Sequence, residues 1–222
     1  MKKNKKIIII GNTTNARLAK WYFDNDSDFE VVAFSVNEKY INEKIWLDIP
    51  VVPFENIEKV YLPSEFYAFV AIGYTEMNKI REKMYLQTKE KGYTLPNYIS
   101  SKCSFLSKNE IGDNNFILED NTIQPYVKIG NNNVLWSGNH IGHDTVIHDH
   151  ITITSHVVIS GYCQINNNCF LGVNSTIHNE IIIKKETLIA AGSIISKHTK
   201  EKGIYVPPRT TKLDKTSDKI KL

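Results

Sequence analysis

The sequence predicts two regions of different architecture. An α/β domain over residues 1–96 is followed by a left-handed parallel β-helix over 97–208, with a polar, lysine-rich tail at 209–222. Two observations carry this. The first region alternates short β-branched runs with segments of helical spacing. In the second, Ile or Leu recurs at every sixth position without an insertion: Ile111, Ile117, Ile123, Ile129, Leu135, Ile141, Ile147, Ile153, Ile159, Ile165, Leu171, Ile177, Ile183, Ile189 and Ile195. Phe105 and Ile99 extend the phase backward.

In the first region, Ile7 to Ile10 is a continuous aliphatic run short enough to be a strand buried on both faces. Ala16 to Phe23 has helical spacing, with Leu18, Trp21 and Tyr22 near one face. Glu30 to Ser35 (EVVAFS), Val51-Val52-Pro53 and Phe66 to Ile72 (FYAFVAI) read as further strands, and Glu76 to Lys91 as a second helix. This alternation implies a small parallel sheet of Rossmann type, too short for a complete dinucleotide domain. The turn Gly11-Asn12-Thr13-Thr14-Asn15-Ala16 joins the first strand to a helix N-terminus, where backbone amides suit phosphate. The G-x-G-x-x-G fingerprint is absent. Gly11, Asn12, Thr13 and Asn15 on this turn are candidate substrate-binding residues. So are Ser35 and Asn37 after the second strand, and Gly73 and Tyr74 after the fourth.

The six-residue beat has a specific physical meaning. Each hexapeptide forms one face of a triangular prism, and three make a coil that stacks on the next at a β spacing of roughly 4.8 Å. The periodic aliphatics point inward. Four residues later a second side chain turns inward near a corner, so small residues are expected there. The positions hold Asn115, Asn121, Val127, Asn133, Asn139, Thr145, Ile151, Val157, Cys163, Cys169, Ser175, Ile181, Thr187 and Ser193. Corners also call for residues that tolerate unusual φ, which is the reading given to Gly112, Gly130, Gly142 and Gly172 and to the runs Asn131-Asn132-Asn133 and Asn166-Asn167-Asn168. The flat outer faces leave apolar surface that a lone prism cannot cover, and three prisms about a threefold axis would cover it, so a homotrimer is expected.

Composition narrows the class. Of 222 residues, 41% are apolar and 23% charged, as in ordinary globular proteins. A net charge of +3 is too small to mark a nucleic-acid binder. The lysines concentrate in Lys2-Lys3-Asn4-Lys5-Lys6 and after Lys197, as solvated ends would. Three cysteines, with no C-x-x-C pair, fit a reducing compartment. The opening apolar run is cut short by Gly11 and Asn12, and no stretch approaches the roughly 18 apolar residues of a membrane span. A cytoplasmic location is expected.

None of the seven histidines precedes His140, and five fall between 140 and 156. His143 stands apart from His140, His148, His150 and His156. It lies two residues after the inward Ile141, points outward by register, and is followed by Asp144, a carboxylate able to orient an imidazole. His148 and His150 read as corner residues. No metal is expected, because Cys163 and Cys169 face inward and no compact Cys/His ligand spacing appears.

The six-residue repeat resembles the hexapeptide-repeat acyltransferases. The order of a small Rossmann-like domain before the β-helix is similar to the NeuD/PglD group of sugar O- and N-acyltransferases. Asn139-His140-Ile141-Gly142-His143-Asp144 resembles that group's catalytic stretch, as does Asn168-Cys169-Phe170-Leu171-Gly172-Val173-Asn174-Ser175. WSGNHIGHD and SHVVISG are most similar to members that acylate dTDP- or GDP-linked 4-amino-4,6-dideoxy sugars for O-antigen and surface polysaccharides. The resemblance implies acetyl-CoA as acyl donor, with His143 as general base supported by Asp144. It further implies a backbone amide one coil on, at Gly161, for the oxyanion.

The resemblance places His156 against the acyl donor, although the bacillosamine-pathway members carry the second histidine at the position of Thr154. Ala190-Ala191-Gly192 is small enough to let the pantetheine arm lie along the helix surface, Arg209 and nearby lysines are candidates to meet the CoA phosphates, and His140 is a candidate substrate contact. Asn15 stands where the group has a histidine, which puts a catalytic role for that loop in doubt. Ser35-Val36-Asn37-Glu38 stands where uridine-specific relatives carry paired aspartates, which points to a dTDP- or GDP-sugar. Two other readings stay open: O-acetylation of a sugar such as sialic acid, and a noncatalytic binding scaffold.

Overall fold

The computed structural model describes residues 3–109, 111–214 and 216–219. Lys2 of the N-terminal basic run and the last residues of the tail lie outside them. The N-terminal part contains β1 (Lys5–Ile10), α1 (Thr14–Asn25), β2 (Phe29–Val36), β3 (Ile45–Trp46), β4 (Ile49–Pro53), α2 (Ile57–Val60), β5 (Tyr67–Val70) and α3 (Lys79–Glu90). Its sheet has the order β3-β4-β2-β1-β5, parallel except where β3 meets β4. The four isoleucines of β1 are fully buried because both faces are covered. Ile7 and Ile9 face Ala16, Ala19 and Phe23 of α1, while Ile8 and Ile10 face Met84 and Tyr85 of α3 and Ile57 of α2.

Three local features differ from the sequence reading. The apolar stripe of α1 is Ala16, Ala19 and Phe23, and Trp21 is exposed. The helix expected from Glu76 starts at Lys79, because Glu76, Met77 and Asn78 take left-handed φ of 53°, 52° and 67°. The β3–β4 hairpin turns on Leu47 and Asp48, both at positive φ, as a two-residue turn of the I′ class requires, without the Asn-Gly pair that would announce it.

From Tyr98 the chain winds into a three-sided parallel β-helix, in keeping with the left-handed class. Its strands are two residues long and pair with the strand eighteen residues on, as in Lys128↔Val146 and His140↔Val158, until the last pair, Leu188↔Ile204, which is sixteen apart. The first face runs from Tyr98–Ile99 to Leu188–Ile189 and ends on Ile204–Tyr205. The second runs from Ser104–Phe105 to Ile194–Ile195, and the third from Lys128–Ile129 to Ile182–Ile183. The periodic aliphatics from Ile117 to Ile195 form one buried core, and the second inward set, from Asn115 to Ser193, is buried throughout. Complete burial of one such aliphatic contributes about 1.5–3 kcal/mol. The inward asparagines cap backbone amides one coil along: Asn115 Oδ1 accepts from Asn133 N (3.0 Å), and Asn133 Oδ1 from Ile151 N (2.8 Å). Cys163 and Cys169 fill the interior, and burial pushes the Cys169 thiol up to about 12.

The corner glycines act differently from their expected role. Every sixth residue from Asn114 is left-handed, but these positions are mostly Asn, Asp, Glu, His and Tyr, with glycine only at Gly138 and Gly192. Gly112, Gly130, Gly142 and Gly172 lie elsewhere and are not left-handed. They are needed for close approach between coils: a Cβ on Gly142 would lie 2.5 Å from the carbonyl carbon of Ser160. In the two asparagine runs only Asn132 and Asn168 are left-handed.

The sheet packs its α1 side onto the first face of the prism, where Tyr98, Phe116, Leu118 and Val134 join its core. Helix α3 lies along the edge between the third and first faces. There Arg81, 1% exposed, donates to the carbonyls of Asn132 (3.2 Å), Ile151 (3.1 Å) and Gly73 (3.3 Å), and to Asn78 Oδ1 and Thr152 Oγ1. His150 takes a left-handed corner position as expected, and it is also buried here against α3.

An amide chain fixes the tautomer of His150. Val70 N–H donates to Asn114 Oδ1, Asn114 Nδ2 to Asn132 Oδ1, and Asn132 Nδ2 to His150 Nδ1 at 2.8 Å, so Nδ1 must accept. Nε2 faces Glu82 at 3.6 Å. Burial holds the pKa of His150 below the ordinary value of 6.5, against the opposing pull of Glu82 and Asp149 and with the help of Arg81. A depressed folded pKa means that this stabilisation is complete above about 6.5 and is lost as pH falls below it. Melting temperature should therefore drop between pH 7 and 5.5, and His150→Asn should flatten that drop. Parallel slopes for the two proteins would refute the assignment.

Candidate functional site

Two separate places gather the candidate residues. The first lies at the carboxyl ends of β1, β2 and β5, on the edge where the parallel strand order reverses and open α/β sheets bind ligands. A cleft of about 680 Å³ there is lined by Gly11, Asn12, Thr13, Ser35, Asn37, Gly73 and Tyr74. Gly11 has φ +137°, and a Cβ on it would lie 2.8 Å from the Ala71 carbonyl oxygen, so no other residue fits that turn. Helix α1 then starts with no side-chain cap on its first amides and no acidic residue in its first turn. Such an end favours an anion. Ser35 Oγ is buried in the wall without a hydrogen-bond partner among the described residues. Asn15 is not part of the lining; it sits on the first turn of α1 beside Gly73.

The sequence reading missed the opposite wall. Lys39, Tyr40 and Asn42 close the cleft from the loop after β2, and Ile80 and Met84 of α3 form its floor. Asn12 Nδ2 donates to the Tyr40 carbonyl at 3.0 Å and ties this loop to the β1–α1 turn. Tyr74 packs on Phe170 of the β-helix, with ring centroids 4.8 Å apart. Nothing in a loop sequence of the Glu38–Asn42 kind announces that it folds back over a cleft.

The second place is the edge between the second and third faces. His143 is half-exposed there, its Nδ1 3.0 Å from Asp144 Oδ2. That contact leaves Nε2 as the ring atom free for substrate. The backbone N–H of His143 donates to Gln124 Oε1 at 2.9 Å, and the Tyr162 ring stands edge-on to the imidazole at 5.0 Å. Gly161 lies one coil on, directly against the ring: a Cβ there would meet His143 Cε1 at 2.8 Å and Nε2 at 2.9 Å. The Gly161 N–H finds no acceptor among the described residues.

The other candidates sit apart from His143. His156 is a left-handed residue on the edge between the first and second faces, its ring packed on Gly138 one coil before. Ala191 and Gly192 lie on the same edge as His156, two coils further along, and Gly192 is also left-handed (φ 71°). His140 is on the second-face strand between the two edges. Arg209 is exposed beyond the last strand. Among the described residues no group of three His, Cys, Asp or Glu side chains is placed to hold a metal, and no helix is long and apolar enough to cross a membrane.

No protein-family model matches this chain, and no curated protein matches it. Solved structures do. A point variant of perosamine N-acetyltransferase from Caulobacter crescentus, in complex with CoA and GDP-perosamine, superposes with a TM-score of 0.78 at 19% identity, covering 90% of this chain and 92% of that one. The acetyltransferase domain of PglB from Neisseria gonorrhoeae gives 0.75 at 17% identity, covering 88% and 93%. WeeI from Acinetobacter baumannii gives 0.72 at 19%, covering 91% and 94%. At these identities the likeness is one of fold: the chain has the α/β-plus-parallel-β-helix architecture of these acetyltransferase structures.

Proposed function

We propose that the chain is an acetyl-CoA-dependent N-acetyltransferase acting on a nucleotide-linked amino sugar, with His143 as general base. One observation carries the reading. An exposed imidazole, oriented through Nδ1 by Asp144, lies against a glycine whose N–H is free. That is the equipment of acyl transfer. The sugar amine attacks the thioester carbon and gives its proton to His143 Nε2. The Gly161 amide receives the oxyanion. As the C–S bond breaks, the imidazolium returns the proton to the departing thiolate. A CoA or GDP-sugar complex in the structural neighbours belongs to those proteins, and it supports the same chemistry here.

The cleft supports the nucleotide part. The open α1 N-terminus suits a diphosphate, and Ser35 and Asn37 stand where a base or ribose would be read. The absence of paired acids at this point favours a dTDP- or GDP-linked 4-amino-4,6-dideoxyhexose, as surface-polysaccharide synthesis would use. The sheet that bears the cleft covers the first face, whereas His143 lies on the opposite edge of the prism. One chain therefore cannot bring both to one substrate, and a neighbouring copy must supply one of them. Exposed Val158 and Ile194 on the second face favour such packing, and a homotrimer fits it. His156, Ala191 and Gly192 would then line the donor side from a neighbour's edge.

The test is a panel of GDP-, dTDP- and UDP-linked 4-amino sugars with acetyl-CoA, followed by free thiol. Turnover is expected with the first two classes. Turnover with sialic acid alone would replace N- by O-acetylation, and turnover with nothing would leave a binding scaffold. Coexpression of a His143→Asn chain with a Thr13→Asp chain, whose exposed N-cap carboxylate repels a diphosphate without straining the turn, should recover activity that neither homo-oligomer has; no recovery would refute the shared site. Gly161→Ala should push the imidazole aside and lower kcat about a hundredfold at unchanged melting temperature. Retained kcat would remove Gly161 from the site.

A further inference from the structure

We propose that two tyrosines divide the substrates of His143 between them: Tyr126 is the platform for the acceptor hexose, and Tyr162 is the wall of the thioester channel. The inference rests on the acyl-transfer reading of His143 and Gly161. Its starting point is a backbone cost. The left-handed corner positions on the other two edges hold Asn, Asp, Gly, Glu, His and, at the last turn, Lys202, none of them aromatic apart from the imidazoles. On the edge of His143 they hold Tyr126 (φ 68°), Asp144, Tyr162 (φ 58°) and Glu180. A bulky aromatic residue is an outlier in that region and is retained where something else requires the ring. Folding does not require it here. Tyr126 is 68% and Tyr162 57% exposed, so neither ring contributes to a core.

The two residues stack one coil to either side of Asp144, and the Tyr162 ring lies against the imidazole. Asp144 N donates to the Pro125 carbonyl (3.4 Å), which seats Tyr126 next to the His143–Asp144 pair. Tyr162 N donates to the His143 carbonyl (3.0 Å), and its ring meets the imidazole at 89°. The two sides are not equivalent. Gly161, adjacent to Tyr162, carries the free N–H, so the thioester carbonyl lies on the Tyr162 side. The amine must reach the carbonyl carbon past Nε2 from the other side, which is that of Tyr126. A pyranose presents an apolar C–H face, widened by a methyl group in a 6-deoxy sugar, and an exposed tyrosine ring matches it.

The test is kinetic, on the full chain, with acetyl-CoA and a nucleotide-linked 4-amino-6-deoxyhexose. Asparagine tolerates positive φ, so Tyr126→Asn and Tyr162→Asn should keep or raise the melting temperature. Tyr126→Asn should raise the KM for the sugar about tenfold and leave that for acetyl-CoA unchanged. Tyr162→Asn should do the reverse, and the phenylalanine variants, which keep the ring face, should rescue each raised KM. A swap of the two effects, unchanged constants in an active enzyme, or a change of oligomeric mass overturns the division while the acyl-transfer reading stands. A wild-type protein that acetylates no amino sugar sinks both.

Discussion

Replacing His143 with asparagine should reduce acetyl transfer by about 10²–10⁴-fold, the usual contribution of a positioned general base. The loss should fall on kcat, with the KM values for sugar nucleotide and acetyl-CoA close to wild type, because a general base acts on the proton in transit rather than on bound ground states. The fold should not be affected. The side chain is half-exposed, and its one polar contact is with its sequence neighbour Asp144, also partly exposed. Asp144→Asn should give a smaller loss, since it withdraws orientation and charge stabilisation while leaving the base in place. Equal turnover by His143→Asn and wild type at saturating substrate would end the assignment.

Arg81→Met should be the most destabilising of these substitutions. The guanidinium is buried without a carboxylate partner, and its charge is balanced by carbonyl and side-chain dipoles from the first coils, the α3 turn and the cleft. Burial pushes its pKa down, yet the surrounding acceptors suit only a donor. Removing it leaves several buried acceptors unpaired, at a cost of about 3–5 kcal/mol. For a chain of this length that corresponds to a melting temperature lower by roughly 10 °C. Because Arg81 also holds the Gly73 carbonyl, the cleft should loosen and the KM for the sugar nucleotide should rise. Melting within about 2 °C of wild type would show that the two parts of the chain do not depend on this residue for their docking.

The β-helix was legible in the sequence because a solenoid maps three dimensions onto one. A side chain's distance from Ile111, modulo six, decides whether it is buried, and this holds through Ile195. The same register placed His143 outward with Asp144 beside it and Gly161 one coil on. What stayed hidden depends on contacts between distant segments. Arg81 stands in a helix rich in lysine and glutamate and gives no sign that, alone of the charged residues there, it turns inward. The loop at Tyr40 gives no sign that Asn12 will tie it over the cleft. The glycines of the corners were correctly located but misassigned: they permit backbone approach, while asparagine, aspartate and even tyrosine take the left-handed turns. Trp21 is exposed because Ala16, Ala19 and Phe23 line the sheet side of α1 and leave Trp21 off that stripe.

The eighteen-residue pairing that holds from Tyr98 to Ile195 makes length change in this chain a quantised matter. Inserting a single hexapeptide after Val146 would keep every aliphatic inside, yet rotate all later side chains by a third of a turn. Gly161 would then leave the imidazole and another column would take its place. Inserting three hexapeptides would preserve the rotation but lift Gly161 one storey too high. Length variation compatible with an intact site is thus confined to whole storeys beyond Tyr162 or before Gln124, and drift of this protein's length should have proceeded at its two ends.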